Sequence, residues 1–193
     1  TSVYAKAYIK KKSIKDNARF HRKQKVLLSL DIKNFFDSIS SDKIFDLFWN
    51  LGYKEDVVVM LTNLCCLNGS LPQGAPTSPM LSNIVLEDFD NEIGLYTMEQ
   101  KIRYTRYADD MTFSGDFHAG KIISKVKRQL NDLGLKLNDE KTRTRGRGQR
   151  QEVTGIVVNE KMQLPRPERK KIRQEMHYII KYGIESHLEY CKI

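Results

Sequence analysis

Apolar and polar positions change their period several times along this chain, and each change marks an element. Val26 to Ile32 (VLLSLDI) is apolar at nearly every position, as in a strand with little exposure on either face. SDKIFDLFWNLG then spaces its apolar residues by three and four, a helical stripe that ends at Gly52 as its C-terminal cap. A second helix is expected over Asp56 to Leu67 and a single long one over Met80 to Glu99. Between these, Asn68 to Pro79 holds three of the five prolines and two glycines, the composition of a loop. Ile102 to Tyr107 and Met111 to Ser114 read as strands around Ala108-Asp109-Asp110, as in a hairpin. Residues 120 to 134 read as an amphipathic basic helix, followed by short strands near LKLN and VTGIVVN. A last helix is expected over Glu168 to Tyr182, behind Pro167. The first 25 residues are basic and without clear period, and read as a surface lobe; Arg143 to Gln151 reads as a basic loop. Strands separated by helices, with a local hairpin, indicate an α+β fold.

The chain has 193 residues, 40% of them apolar, enough for a sizeable core. Its 33 lysines and arginines against 24 acidic residues leave a charge of +9, which suits polyanionic partners as well as a merely basic surface. Cys65, Cys66 and Cys191 form no CxxC pair, so a zinc site is not expected and a reducing cytoplasm is the simplest setting. Neither a membrane span nor a signal peptide is visible. The chain opens on Thr1, so a portion of a longer protein is expected.

Three carboxylates stand out. Asp31 ends the apolar strand, and Asp109 and Asp110 occupy the expected turn. If the strands are neighbours, the three converge, and an all-oxygen set of that charge suits Mg²⁺ or Mn²⁺. Turn chemistry alone also accounts for an Asp-Asp pair, and the residues by themselves leave both readings open.

Larger motifs narrow the choice. Tyr107-Ala108-Asp109-Asp110 resembles the YxDD box of reverse transcriptases, LDIKNFFDSI (30–39) their first metal-binding motif, and LPQGAPTSPMLSN (71–83) their template and nucleotide loop. Asn17-Ala18-Arg19-Phe20-His21 resembles the NAxxH signature of retron enzymes, and Val153-Thr154-Gly155 their VTG signature. The resemblance implies a reverse-transcriptase palm, an antiparallel sheet backed by helices, with partial fingers and the start of a thumb. It divides the chain into fingers (1–25), palm (26–165, with a fingers-type helical insertion near 41–70) and thumb (166–193).

By the same resemblance, Asp31, Asp109, Asp110 and the carbonyl of Ile32 would hold two Mg²⁺ ions, with Mn²⁺ as a substitute. Phe36 would exclude a ribose 2′-hydroxyl, and Gln73, Gly74 and Ala108 would lie against nucleotide and template. Lys141 would protonate the departing pyrophosphate. Arg19, His21, Arg22 and Lys23 in the fingers, and Arg169, Lys170 and Arg173 in the thumb, would face nucleic acid. The implied activity is RNA-directed DNA polymerase of a retron, copying a structured noncoding RNA with deoxynucleoside triphosphates. An RNA–DNA hybrid, an effector protein and anti-phage defence belong to the same implication. Relatives carry longer fingers and a longer thumb than are present here. A group II intron enzyme, a noncatalytic RNA-binding palm scaffold and a metal nuclease are the rival readings.

Overall fold

A four-stranded antiparallel sheet organises the computed structural model, which describes residues 1–191. Its strands β1 (Val26–Asp31), β2 (Arg103–Tyr107), β3 (Asp110–Gly115) and β4 (Arg143–Gly146) lie in the order β2-β3-β1-β4. Leu28 stands opposite Phe113 and Leu30 opposite Met111, so alternation along the strands puts these side chains on one face. Helices α5 (Glu87–Glu99) and α6 (Ala119–Asp132) cover that face with Phe89, Ile93, Ile122, Val126 and Leu130. In α6 the three core residues recur every fourth position, and Gly134 at φ +69° closes the helix.

The opposite face carries Ser29, Asp31, Thr105, Asp110 and Thr112. Its far end lies under α1 (Ile14–Phe20) and the small hairpin of β5 (Glu152–Val153) and β6 (Ile156–Val157). Ala18, Leu27, Val153 and Val158 form a second small core there. The hairpin turns on Thr154 (φ +45°) and Gly155 (φ +80°), the two left-handed residues of a type I′ turn, where glycine carries no steric penalty. Thus the NAxxH helix and the VTG turn pack as neighbours. Helices α2 (Ser41–Asn50) and α3 (Glu55–Cys65) pair with each other, and α2 also rests on α4 (Ser78–Val85).

Several expectations are corrected. The single helix over 80–99 is two, α4 and α5, joined at fully buried Leu86. Hydrogen bonds of helical spacing run on through Leu86 (to Ser82 O, 3.2 Å; from Asp90 N, 2.9 Å), so the break is a local departure of Leu86 from helical backbone angles (φ −93°, ψ 9°), which periodicity does not register. The LKLN strand is absent; Leu137 makes only an isolated bridge to Ile32. The basic loop begins as β4, whose place at the sheet edge lets an arginine-rich strand form without apolar residues.

The first segment is largely exposed, as expected of a surface lobe, but its start is tied into the palm. Ser2, Ala5 and Ala7 are buried, and Ala5 bridges Arg106 in parallel, with Lys6 N–H to Arg106 O at 2.7 Å. Gly94 makes this possible, because a Cβ there would lie 2.0 Å from the Tyr4 ring. A reciprocal capping box between Ser13 and Asp16 starts α1.

The last helix spans Arg166–Tyr182 (α7), with Pro167 in its first turn as expected, and is followed by α8 (Ile184–Cys191). Residues 192 and 193 of the expected thumb lie outside the described residues. Among the described residues, no helix is long and apolar enough to cross a membrane.

Candidate active site

The candidate site forms where the polar face of the sheet meets the β2–β3 turn. Asp31 and Asp110 are partners in the β1–β3 register, so their side chains leave the sheet on the same side. Asp109 shares the two-residue turn with Ala108, whose φ of +57° is unusual for a residue with a Cβ. Both carbonyls of the turn are held: Ile32 N–H donates to Asp109 O at 3.1 Å, and Arg106 Nη1 to Ala108 O at 2.9 Å. Asp31 is 5% exposed, and its carboxylate accepts from Asn138 Nδ2 (3.1 Å) and Lys141 Nζ (2.9 Å). Asn138 N–H also donates to Asp31 O at 2.8 Å.

Charge is concentrated here. Partial burial, then repulsion from Asp109 and Asp31, pushes the Asp110 carboxyl up to about 6, against the opposing pull of Lys141. Burial also raises Asp109, with Asp31 adding to it while its own backbone N–H and Lys141 oppose. Lys141 in turn is held above its ordinary value, first by its hydrogen bond to Asp31 and then by the attraction of that charge. One exposed ammonium therefore offsets three carboxylates only in part. Among the described residues, no three acidic, histidine or cysteine side chains are already drawn together as a closed metal cage. The donor set nonetheless fits a hard divalent cation: it is all oxygen, and three carboxylates set this close carry negative charge that a cation would relieve.

A cleft of about 550 Å³ opens in front of Asp31 and Asp109, lined also by Ile32, Phe36, Gln73, Ala108 and Lys141. Phe36 is half-buried, its ring 5.1 Å from that of Phe35. Gln73 and Gly74 are exposed on a loop tied down by Leu71 N–H to Ile39 O (3.1 Å) and Ser78 Oγ to Pro72 O (2.7 Å). Gly74 has φ +97° with open space where a Cβ would stand, so backbone angle rather than crowding calls for glycine. Asp110 opens instead onto a smaller polar hollow with Thr112, Arg145 and Thr154. Asp31 and Asp109 thus share the cleft, while Asp110 lies beside it.

Sequence reasoning missed three contributors. Tyr8 comes from the N-terminal segment to line the cleft, its hydroxyl raised by burial and then by Asp109. Asn138 grips Asp31, and lies only three residues before Lys141 in the segment that drew notice. Arg106 supports the turn from the core side.

One expected nucleic-acid contact is overturned. His21 is fully buried, with Nδ1 2.7 Å from Ser114 Oγ and Nε2 2.7 Å from Thr105 Oγ1. Because Thr105 Oγ1 donates to Asn17 Oδ1 (2.6 Å), it accepts from His21 Nε2–H, and Nδ1 accepts from Ser114. Burial, then Arg103 and Lys6, pushes this imidazole down to about 3. His21 pins α1 to the sheet and cannot reach a phosphate, although its sequence neighbours Arg19, Arg22 and Lys23 are basic. Arg19, Lys23, Lys170 and Arg173 are exposed, and Arg22 and Arg169 are half-buried.

Comparison with known proteins agrees with this geometry. Residues 4–166 match the family described as Reverse transcriptase (RNA-dependent DNA polymerase). The chain is 34% identical to the retron Ec86 reverse transcriptase of Escherichia coli, over all of this chain and 61% of that protein. It is 35% identical to the retron Mx65 reverse transcriptase of Myxococcus xanthus, over 91% of this chain and 46% of that protein. It thus spans 61% and 46% of the length of these two curated relatives. Telomerases of Candida tropicalis and Candida albicans share the fold at 11% identity, with TM-scores of 0.57 and 0.60. Those alignments cover 75% and 83% of this chain and 36% of each telomerase. The chain belongs to the reverse transcriptase family and is of the retron type.

Proposed function

We propose that this chain is the palm-centred portion of an RNA-directed DNA polymerase. Its cleft would join a primer hydroxyl to the α-phosphate of a deoxynucleoside triphosphate, with pyrophosphate leaving. The observation that carries the reading is the register of Asp31 against Asp110 beside the Asp109 turn, at the open end of the polar face. Residues 26–165 make the palm, with α2 and α3 as a fingers-type insertion near 41–70; residues 1–25 belong to the fingers and 166–193 begin the thumb.

Asp31, Asp109 and Asp110, with the carbonyl of Ile32, would hold two divalent ions, Mg²⁺ with Mn²⁺ as a substitute. Such ions make an attacking hydroxyl easier to deprotonate and offset charge on the leaving oxygen. Phe36 stands against the sugar and excludes a 2′-hydroxyl. Gln73 offers its amide to the incoming nucleotide, and Gly74 lets backbone come close. Lys141, with a side chain 62% exposed, turns from Asp31 toward the pyrophosphate and supplies charge and a proton. Arg19, Arg22, Lys23, Arg169, Lys170 and Arg173 meet the nucleic-acid backbone.

The template in this reading is a structured noncoding RNA of a retron, with synthesis started from one of its 2′-hydroxyls, in the cytoplasm, alongside an effector in anti-phage defence. The retron names of the relatives support it, as does the joint packing of Ala18 from NAxxH and Val153 from VTG. The test is primer extension on RNA with deoxynucleotides and Mg²⁺, comparing the chain with Asp109→Asn. Extension by the former alone is expected. No extension by either folded chain, with RNA binding kept, would favour a noncatalytic scaffold.

A further inference from the structure

We propose that Arg106 is a positioning residue that sets the backbone of the Ala108–Asp109 turn, and through it the Asp109 carboxylate; this rests on the polymerase reading above. The side chains of Arg106 and Asp90 are both 0% exposed. Arg106 Nε lies 2.9 Å from Asp90 Oδ1 and Nη2 lies 2.7 Å from Oδ2, while the Tyr104 hydroxyl donates to the same Oδ1 at 2.7 Å. A guanidinium is a rigid planar fork, so two donors seated on Asp90 fix the direction of the third. That third donor, Nη1, meets Ala108 O at 2.9 Å.

The carbonyl it holds belongs to the residue at φ +57°, a backbone that a Cβ disfavours and that persists only where its surroundings impose it. Arg106 is itself anchored, its N–H to Tyr4 O (2.9 Å) and its O from Lys6 N–H (2.7 Å). Across the turn, Ile32 N–H holds Asp109 O. The turn is therefore braced from α5 through Asp90 and Arg106, and from Ile32, the residue that follows β1. A buried ion pair is in general a weak stabilising device that apolar residues of like volume can replace. What apolar residues could not replace is a donor aimed at Ala108 O.

A purely structural role, in which Arg106 only neutralises Asp90 and holds α5 to β2, makes a different forecast. The double variant Asp90→Asn with Arg106→Gln removes both buried charges and keeps a hydrogen-bonded pair, but leaves nothing for Ala108 O. Arg106→Lys keeps the charge, but a point-like ammonium cannot serve Asp90 and Ala108 O together. Both are compared with the unsubstituted chain in primer extension, with thermal unfolding and amide exchange of Ile32 by NMR.

Positioning requires kcat to fall about 100-fold in both variants, since an error near 1 Å in a reacting group costs that much. Primer–template Kd should stay within about threefold, because this contact is not made to nucleic acid. The double variant should regain Tm without regaining kcat, and the Ile32 amide should exchange faster while β1 stays protected. Recovery of kcat together with Tm overturns the inference. Should the unsubstituted chain fail to extend primers, the polymerase reading fails and the exchange data decide alone: an unchanged Ile32 rate in Arg106→Lys defeats the brace, and a faster one upholds it.

Discussion

The β2–β3 turn and helix α7 both carry charge suited to a nucleic-acid complex, yet they are held in opposite ways. The turn is bonded from Ile32 and Arg106 and backs onto fully buried residues, Met111 among them. Helix α7 runs 17 residues with none buried, and its one ion pair recorded among the described residues is the i,i+4 contact Lys171–Glu175 at 3.8 Å. The physical demands differ in the same way. Phosphoryl transfer tolerates little displacement of the reacting groups. A duplex is gripped through its backbone by many weak contacts, each releasing counterions, so density of charge matters more than exact placement. On the polymerase reading, rigid carboxylates and loosely held cations would be two solutions to two problems.

The sharpest way to test that contrast is Asp109→Asn. It should cut DNA synthesis by roughly 10³-fold or more, the scale of several kcal/mol of lost charge stabilisation. RNA affinity by gel shift should barely change, and persistent synthesis would remove Asp109 from the chemistry. Replacing Arg169, Lys170 and Arg173 together by alanine should do the reverse. Affinity falls about tenfold or more, and the slope of log K against log salt drops by about 2, if most of the three meet phosphates. Saturated kcat should hold steady; anisotropy titrations across a salt series check this, and an unaltered slope would place α7 away from the duplex. More modestly, Phe36→Ala should lose about tenfold discrimination against ribonucleotides, a typical loss for one shape contact. Competition between ribo- and deoxynucleotides measures it, and unchanged selectivity would end the gate role.

His21 bears on stability rather than on activity. The folded chain keeps this imidazole neutral to about pH 3, whereas the unfolded chain protonates it near the ordinary 6.5. Its contribution is therefore complete above pH 6.5 and is lost as pH falls toward 3, by up to about 1.4 kcal/mol per pH unit. His21→Gln should be less stable at pH 7 and show a flatter decline between pH 6.5 and 4 in urea unfolding. An identical decline in both chains would mean that another group sets the acid sensitivity.

Much of this architecture could be read from the residues in order. The apolar run of β1, the helix closed by Gly52, the hairpin around Ala108-Asp109-Asp110 (of which Asp110 proves to open β3) and the proline-led start of α7 are all local, because period and turn chemistry act over a few neighbours. The motifs around Asp31, Gln73 and Asp109 pointed to the family for the same reason. What only tertiary structure decided are the long-range pairings. It set Asp31 against Asp110, Ala18 against Val153, and Asp90 beneath the turn through Arg106. It also made an edge strand of an arginine-rich stretch and buried His21 amid a basic segment. Hydrophobic period reports which face of an element is covered, and never by what; register and buried polar bonds join residues far apart in the chain, so they exist only once the sheet has closed.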